Sequence, residues 1–114
     1  MSHLPAPPES YVEFSQHFPK LADAWRLISD ASQVGSLSER ELRLVKLGVA
    51  LGAMREGAVH SNVRKGLSQG LARSDIEQAI AAAAGTIGMP ATVAVFTWVR
   101  DILDPVASRP EDHR

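Results

Sequence analysis

The sequence predicts an all-α protein that forms a single bundle of about five to six helices. Three observations lead to this fold class. Apolar residues recur at the three- and four-residue spacing of amphipathic helices. The β-branched residues fall at the same spacing, and no stretch alternates between apolar and polar residues as a strand would. Two segments, 38–41 and 74–77, have the S-x-x-E form of a capping box, which marks the start of a helix.

Two short helices are expected near the start of the chain. Residues 1–8 are rich in proline and are predicted to form a disordered N-terminal tail. A helix is predicted from Glu9 to Phe18, and Pro19 fits the first turn of the next helix. The second helix has an apolar stripe at i, i+3, i+4 and i+7, formed by Leu21, Ala24, Trp25 and Ile28.

The third helix is the most apolar part of the chain and should form the centre of the bundle. It is predicted to begin after Ser38 and to be apolar on nearly every side from Leu42 to Met54. Most of its surface should therefore be buried. Gly48 and Gly52 lie four residues apart, and each costs about 1 kcal/mol of helix stability relative to alanine. Both are therefore expected to permit close approach of another helix.

Three further helices complete the predicted domain, which spans residues 9–104. The fourth is expected from Glu56 to Gln69, with Gly70 after its end. The fifth should begin at the Ser74 capping box, and the sixth should run from Ala91 to Leu103. The sixth has two apolar faces, which indicates a subunit contact in addition to a core contact. Residues 105–114 are predicted to be a polar C-terminal tail.

Composition excludes several classes of function. The formal net charge is −1 and no block of like charge occurs, which argues against nucleic-acid and membrane partners. No apolar run approaches the roughly 20 residues that span a bilayer, and no signal peptide is recognisable, so a cytoplasmic location is the default expectation. The chain has no cysteine, which excludes disulfides, thiolate nucleophiles and zinc–sulfur sites.

One group of residues points to chemistry: Glu41, Glu56 and His60. Glu56 and His60 are four residues apart and therefore share one face of a helix. Each residue also has a structural explanation. Glu41 is the fourth residue of a capping box, Glu56 lies where a helix dipole favours a carboxylate, and His60 borders an apolar stripe. The same residues could ligate Zn²⁺, Mn²⁺ or Fe²⁺, but a second histidine is missing, so no metal and no cofactor is predicted.

Residues 37–103 resemble the carboxymuconolactone decarboxylase family, which belongs to the wider AhpD-like superfamily. The superfamily pattern has a glutamate that opens an apolar helix, two cysteines and a histidine four residues after the second. Here those positions hold Glu41, then Ala53 and Glu56, then His60. Later elements of the pattern match Gly70, Ser74-Asp75-Ile76-Glu77 and Gly88-Met89-Pro90-Ala91.

The resemblance implies an AhpD-like orthogonal helical bundle that assembles as a homotrimer or homohexamer. It also implies the decarboxylase branch rather than thiol peroxidase or disulfide reductase activity, because both cysteines are absent. The named reaction of the family is the cofactor-independent decarboxylation of γ-carboxymuconolactone to an enol-lactone. Under this hypothesis His60 transfers the proton, and Glu56 and Glu41 are supporting acid/base groups. Arg55 or Arg64 binds a carboxylate of the substrate. The alternative is a non-catalytic oligomeric binding or scaffold protein that keeps the fold.

Overall fold

A computed structural model describes residues 9–105 of the chain, and this part is all-α, as predicted. It contains six helices and no strand. They are α1 (Glu9–His17), α2 (Pro19–Ala31), α3 (Glu39–Gly52), α4 (Glu56–Ser68), α5 (Arg73–Ile87) and α6 (Met89–Leu103). The expected N-terminal tail, residues 1–8, lies outside the described residues, and so does the expected C-terminal tail, residues 105–114, except for its first residue. None of the helices in residues 9–105 is long and apolar enough to cross a membrane.

The predicted capping box at the start of α3 is confirmed. The Ser38 hydroxyl accepts a hydrogen bond from the Glu41 backbone N–H at 3.1 Å. The Glu41 carboxylate in turn accepts from the Ser38 backbone N–H at 2.8 Å. Two backbone donors that the helix leaves without intrahelical partners are thereby satisfied, which fixes the first residue of the helix.

The prediction that Ser74 begins a capping box is wrong. Helix α5 begins one residue earlier, at Arg73, so Ser74 lies inside the first turn. Ala72 is the N-cap residue and has no side-chain acceptor to offer. The Asp75 carboxylate instead accepts the Ala72 backbone N–H at 2.8 Å. An aspartate three residues after the N-cap can accept the N-cap backbone N–H even when the N-cap side chain accepts nothing. The S-x-x-E pattern did not indicate this alternative.

Helices α3 and α4 form a tight hairpin because α3 ends in a Schellman motif. The Arg55 N–H bonds the Ala50 carbonyl at 3.3 Å, and the Met54 N–H bonds the Leu51 carbonyl at 3.1 Å. Met54 itself has the left-handed conformation that such a motif requires, with φ of 56°. The helix therefore ends at Gly52, two residues before the predicted end. This turn places Glu56 at the first position of α4.

The core is formed by α3, α4, α5 and α6. Helix α4 packs on α3 and α6, and α5 packs on the same two helices. The buried apolar residues are Leu47, Ala50, Leu51, Val59, Val63, Leu71, Ile76, Ile80, Val95 and Val99. Helices α1 and α2 bury no residue in this core. They pack on each other, and the predicted stripe on α2 stays exposed, with Trp25 55% accessible.

The expected close helix approach at Gly48 and Gly52 is not present within residues 9–105. A Cβ atom built at either position would meet nothing within 4 Å. Both glycines instead border an open groove of about 510 Å³ between α3 and α5. The close approach occurs at Gly66, where a Cβ atom would lie 2.8 Å from Leu71 Cδ1. Gly66 was not singled out because its neighbour comes from the loop after α4.

An ion pair joins the first turns of α3 and α5 and should make stability depend on pH. The Arg40 guanidinium binds both carboxylate oxygens of Asp75, at 2.9 and 3.1 Å. Arg40, together with the Ala72 backbone N–H, holds the pKa of Asp75 below its ordinary value. The stabilisation is therefore fully present above the unfolded-state pKa of about 3.9. It is lost as the pH falls through the lower folded-state pKa.

We expect Asp75→Asn to remove this part of the pH dependence. The variant should be less stable than the parent protein near neutral pH. Its stability should also change less steeply below about pH 4, because no carboxylate remains at position 75 to be protonated. Thermal unfolding followed by circular dichroism across that range measures both effects. Glu39→Gln, in the first turn of α3, is the matched control, because its carboxylate makes no ion pair within residues 9–105. Identical pH curves for the Asp75 variant and its parent would contradict this role of the ion pair.

Candidate active site

Three side chains converge where the start of α4 meets the end of α6. The His60 Nε2 atom lies 3.0 Å from Asp101 Oδ2, which is hydrogen-bonding distance. The same nitrogen lies 4.0 Å from Glu56 Oε2. One ligand atom from each of these residues lies within 4.8 Å of the others. Glu56 and His60 are therefore brought together as predicted, and Asp101 joins them.

The backbone explains why His60 is held at this place. Its neighbour Val59 is fully buried, and so is Val63 one turn further along α4. On α6, Val99 is buried and precedes Asp101 by two residues. The cluster thus lies at the edge of the core rather than inside it, and the His60 side chain is 23% exposed. The ring is positioned by packing yet remains accessible to a small molecule.

The hydrogen bond to Asp101 favours one tautomer of His60. A carboxylate only accepts hydrogen bonds, so the imidazole nitrogen facing it carries the proton. When His60 is neutral, Nε2 therefore holds its hydrogen and Nδ1 keeps a lone pair. The Glu56 carboxylate faces the same Nε2 atom at 4.0 Å, which is beyond hydrogen-bonding distance. The arrangement suits a group that takes up and releases a proton.

The same three side chains form a set that could hold a divalent metal ion. One imidazole and two carboxylates are ligands used by Zn²⁺, Mn²⁺ and Fe²⁺. Their ligand atoms lie close enough to share one ion. Exposed acidic groups often cluster without a metal, and Glu56 is 56% exposed.

Glu41 is not brought into this cluster. Its carboxylate binds the Ser38 backbone N–H at the start of α3. Two residues later, Arg43 contacts Asn62 at 2.6 Å and Gln69 at 3.0 Å. In the antiparallel hairpin, the start of α3 therefore lies beside the second half of α4, whereas His60 lies in the first half. The predicted acid/base role of Glu41 stays a prediction, and its observed role is capping.

The two arginines predicted to bind substrate lie on either side of His60 along the chain. Arg55 is the N-cap residue of α4 and is exposed. Arg64 follows His60 by one helical turn and is partly buried. Because residues four apart share a helix face, Glu56, His60 and Arg64 lie in one row. Arg64 is therefore better placed than Arg55 to meet an anion beside His60.

Sequence reasoning missed Asp101. The residue lies 41 positions after His60, and no local spacing connects the two. A weak signal existed: Arg100-Asp101 is a charged pair in an otherwise apolar helix whose neighbouring turns face the core. A charge in such a place needs a partner. The partner could be identified only after α4 and α6 were packed together.

Comparison with known protein families identifies the family of this chain. The sequence profile described as the carboxymuconolactone decarboxylase family matches residues 19–101, which is most of the chain. The chain belongs to the carboxymuconolactone decarboxylase family. No curated protein and no solved structure matches this chain. This member of the family has no cysteine, and the resemblance places Ala53 and Glu56 where the superfamily has its redox pair. No residue of this sequence could therefore supply a cysteine thiol.

Proposed function

We propose that this carboxymuconolactone decarboxylase family member is a lyase or isomerase that uses acid/base chemistry without a cofactor. Its substrate is a small carboxylated molecule or a lactone. The observation that carries the proposal is the contact of His60 Nε2 with Asp101 at 3.0 Å, with Glu56 beside it. An imidazole oriented by one carboxylate and stabilised by a second is a common general acid/base arrangement.

For γ-carboxymuconolactone the proposed reaction balances without a redox partner. The bond between the ring carbon and the leaving carboxylate breaks, and CO₂ departs. The electron pair moves through the ring double bond onto the lactone carbonyl oxygen. Protonated His60 then supplies one proton to a ring carbon, which gives the enol-lactone. Arg64, one turn along α4, is positioned to bind a second carboxylate of the substrate.

The runner-up is a non-catalytic oligomeric binding or scaffold protein. One observation favours it: Glu41 makes both hydrogen bonds of a capping box, so capping accounts for this glutamate. Two observations favour the enzyme. His60 is partly accessible, and it faces two carboxylates from two different helices. A histidine that served packing alone would not require the second carboxylate.

The proposal is tested by giving the purified protein γ-carboxymuconolactone and measuring CO₂ release and enol-lactone formation. Turnover that survives prolonged dialysis against a chelator is expected for the metal-free mechanism. Turnover that disappears with the chelator and returns with Zn²⁺, Mn²⁺ or Fe²⁺ would replace it with the metal alternative. If neither this lactone nor related unsaturated carboxylates are consumed, the scaffold function is the better explanation.

Self-assembly into a homotrimer or homohexamer is part of the same proposal. The core of one chain is small, and a domain of this size gains stability when neighbouring copies cover apolar surface. The groove between α3 and α5 is lined mainly by small or apolar side chains, so a second copy that covered it would bury apolar surface. Its lining includes Leu44, Gly48, Gly52, Ala79, Ala82, Ala83 and Ile87. Val49 on α3 is 65% exposed, so apolar surface continues beyond the groove.

We expect Ala82→Arg to disrupt this assembly. Ala82 lines the groove, and a long charged side chain there would fill the space that a second copy needs. Sedimentation velocity should show a shift from the trimer or hexamer towards the monomer. Ala81→Arg is the matched control, because Ala81 is also exposed on α5 but does not line the groove. An Ala82 variant that sediments like the parent oligomer would show that the groove is not the contact.

A further inference from the structure

A second polar site lies on the opposite side of α4 from His60. An open cavity of about 660 Å³ lies between α2, α3 and α4. Its α4 residues include Ala58, Ser61, Asn62 and Lys65. At 100° per residue these positions lie on the other side of the helix from Glu56, His60 and Arg64. The cavity is therefore separate from the candidate active site, and its volume is in the usual range for small-molecule sites.

Positive charge is concentrated in this cavity and is not neutralised there. Arg43, Lys46 and Lys65 line it, and no lining residue is a carboxylate. Burial lowers the pKa of Arg43. Burial also lowers the pKa of Lys65, and the neighbouring charges of Arg43, Lys46 and Arg64 lower it further. Cations that are partly removed from water without a counter-charge attract an anionic ligand.

The guanidinium of Arg43 is held in place by neutral groups. Its Nε donates to Gln69 Oε1 at 3.0 Å, and its Nη1 donates to Asn62 Oδ1 at 2.6 Å. Asn62 is fixed in turn, because its Nδ2 donates to the Ala58 carbonyl at 2.8 Å. These bonds orient the guanidinium but leave its charge uncompensated. Nη2 has no acceptor among residues 9–105, which leaves a donor for a ligand.

The opposite wall of the cavity is partly apolar. Its apolar part is formed by Trp25 and Ile28 of α2, which are 55% and 60% exposed, and its polar part by Ser29, Ser32 and Gln33. An indole ring beside a cluster of cations offers two kinds of contact to one ligand. A flat apolar body can pack on the ring, while an acidic group reaches the basic side chains.

We propose that this cavity is a binding site for a small organic anion with a flat apolar body, separate from the His60 site. The acidic group of the ligand binds Arg43, Lys46 and Lys65. Its apolar body packs against Trp25 and Ile28. The site is independent of the proposed catalysis, so either proposal can fail without the other.

Benzoate, its neutral analogue benzamide and inorganic phosphate are the probes that test this inference. Isothermal titration calorimetry on the full-length protein should show benzoate binding at least about tenfold tighter than benzamide, because the charge is the main attraction. Benzoate should also bind more tightly than phosphate, because phosphate cannot use the apolar wall. Binding of phosphate as tightly as benzoate would overturn the apolar part of the proposal. Equal binding of benzoate and benzamide, or no binding of either, would overturn the site.

Variants then locate the binding. Lys65→Met keeps the length and apolar stem of the side chain but removes its charge, and it should weaken benzoate binding roughly tenfold. Lys20→Met, on the exposed start of α2, is the matched control and should bind as the parent does. In ¹⁵N–¹H spectra, benzoate should shift the side-chain amide signals of Asn62 and Gln69. Equal effects of the two lysine substitutions, or shifts confined to the surroundings of His60, would contradict this location.

Discussion

Replacing His60 with glutamine is expected to lower kcat/KM for the decarboxylation by about 10²- to 10⁴-fold, the range associated with loss of a general acid/base. Glutamine has a similar size, and its amide N–H can still donate to Asp101, so the α4–α6 contact should survive. It cannot gain and lose a proton near neutral pH. The measurement is steady-state decarboxylation by the variant and the parent protein, with circular dichroism to confirm that both are folded.

His17→Gln provides the control for this substitution. His17 is the last residue of α1 and lies outside the described cluster. This variant should turn over substrate at the parent rate. If His60→Gln also kept the parent rate, His60 would not be the proton donor, and the chemistry proposed for the cluster would be wrong.

Replacing Asp101 with asparagine is expected to lower kcat by roughly 10- to 10³-fold, with a smaller change in KM. Asp101 acts through His60 and is therefore a positioning residue. The asparagine side chain can present an N–H to Nε2, and this would favour the opposite imidazole tautomer. The neutral ring would then carry its hydrogen on Nδ1. That atom could not accept the proton that His60 must donate to the substrate in the next turnover. Steady-state kinetics separate kcat from KM, and ¹⁵N NMR of the imidazole reports the tautomer directly.

Two further variants distinguish positioning from simple loss of stability. Asp101→Glu keeps an acceptor near Nε2 and should restore part of the lost activity and the parent tautomer. Asp104→Asn alters another carboxylate at the end of α6, one that binds Arg73 at 2.6 and 2.9 Å. It should leave kcat nearly unchanged even if it reduces stability. An Asp101→Asn protein with the parent tautomer and the parent kcat would remove Asp101 from the mechanism.

Local sequence patterns predicted much of this architecture. The all-α class followed from apolar spacing, and the capping box at Ser38 was confirmed because its hydrogen bonds lie within four residues. Gly70 follows the C-cap residue of α4 with a positive φ, as expected for the residue after a helix. Glu56 and His60 were placed on one face of α4 because that relation depends only on helical geometry. The prediction of a capping box at Ser74 was wrong because the Asp75 carboxylate accepts the Ala72 backbone N–H instead, so the helix begins earlier.

The sequence by itself determined which segments are helical, that the chain offers no cysteine thiol, and that Glu56 and His60 lie about one turn apart on one face of a helix. These properties depend on composition and on contacts within a few residues. Only the tertiary structure decided that Asp101 reaches His60 across 41 positions, that Glu41 lies away from both, and that Gly48 faces open space. The physical reason is that side chains on different helices meet according to the packing of α3 to α6. That packing depends on the shape of the whole core rather than on any local pattern.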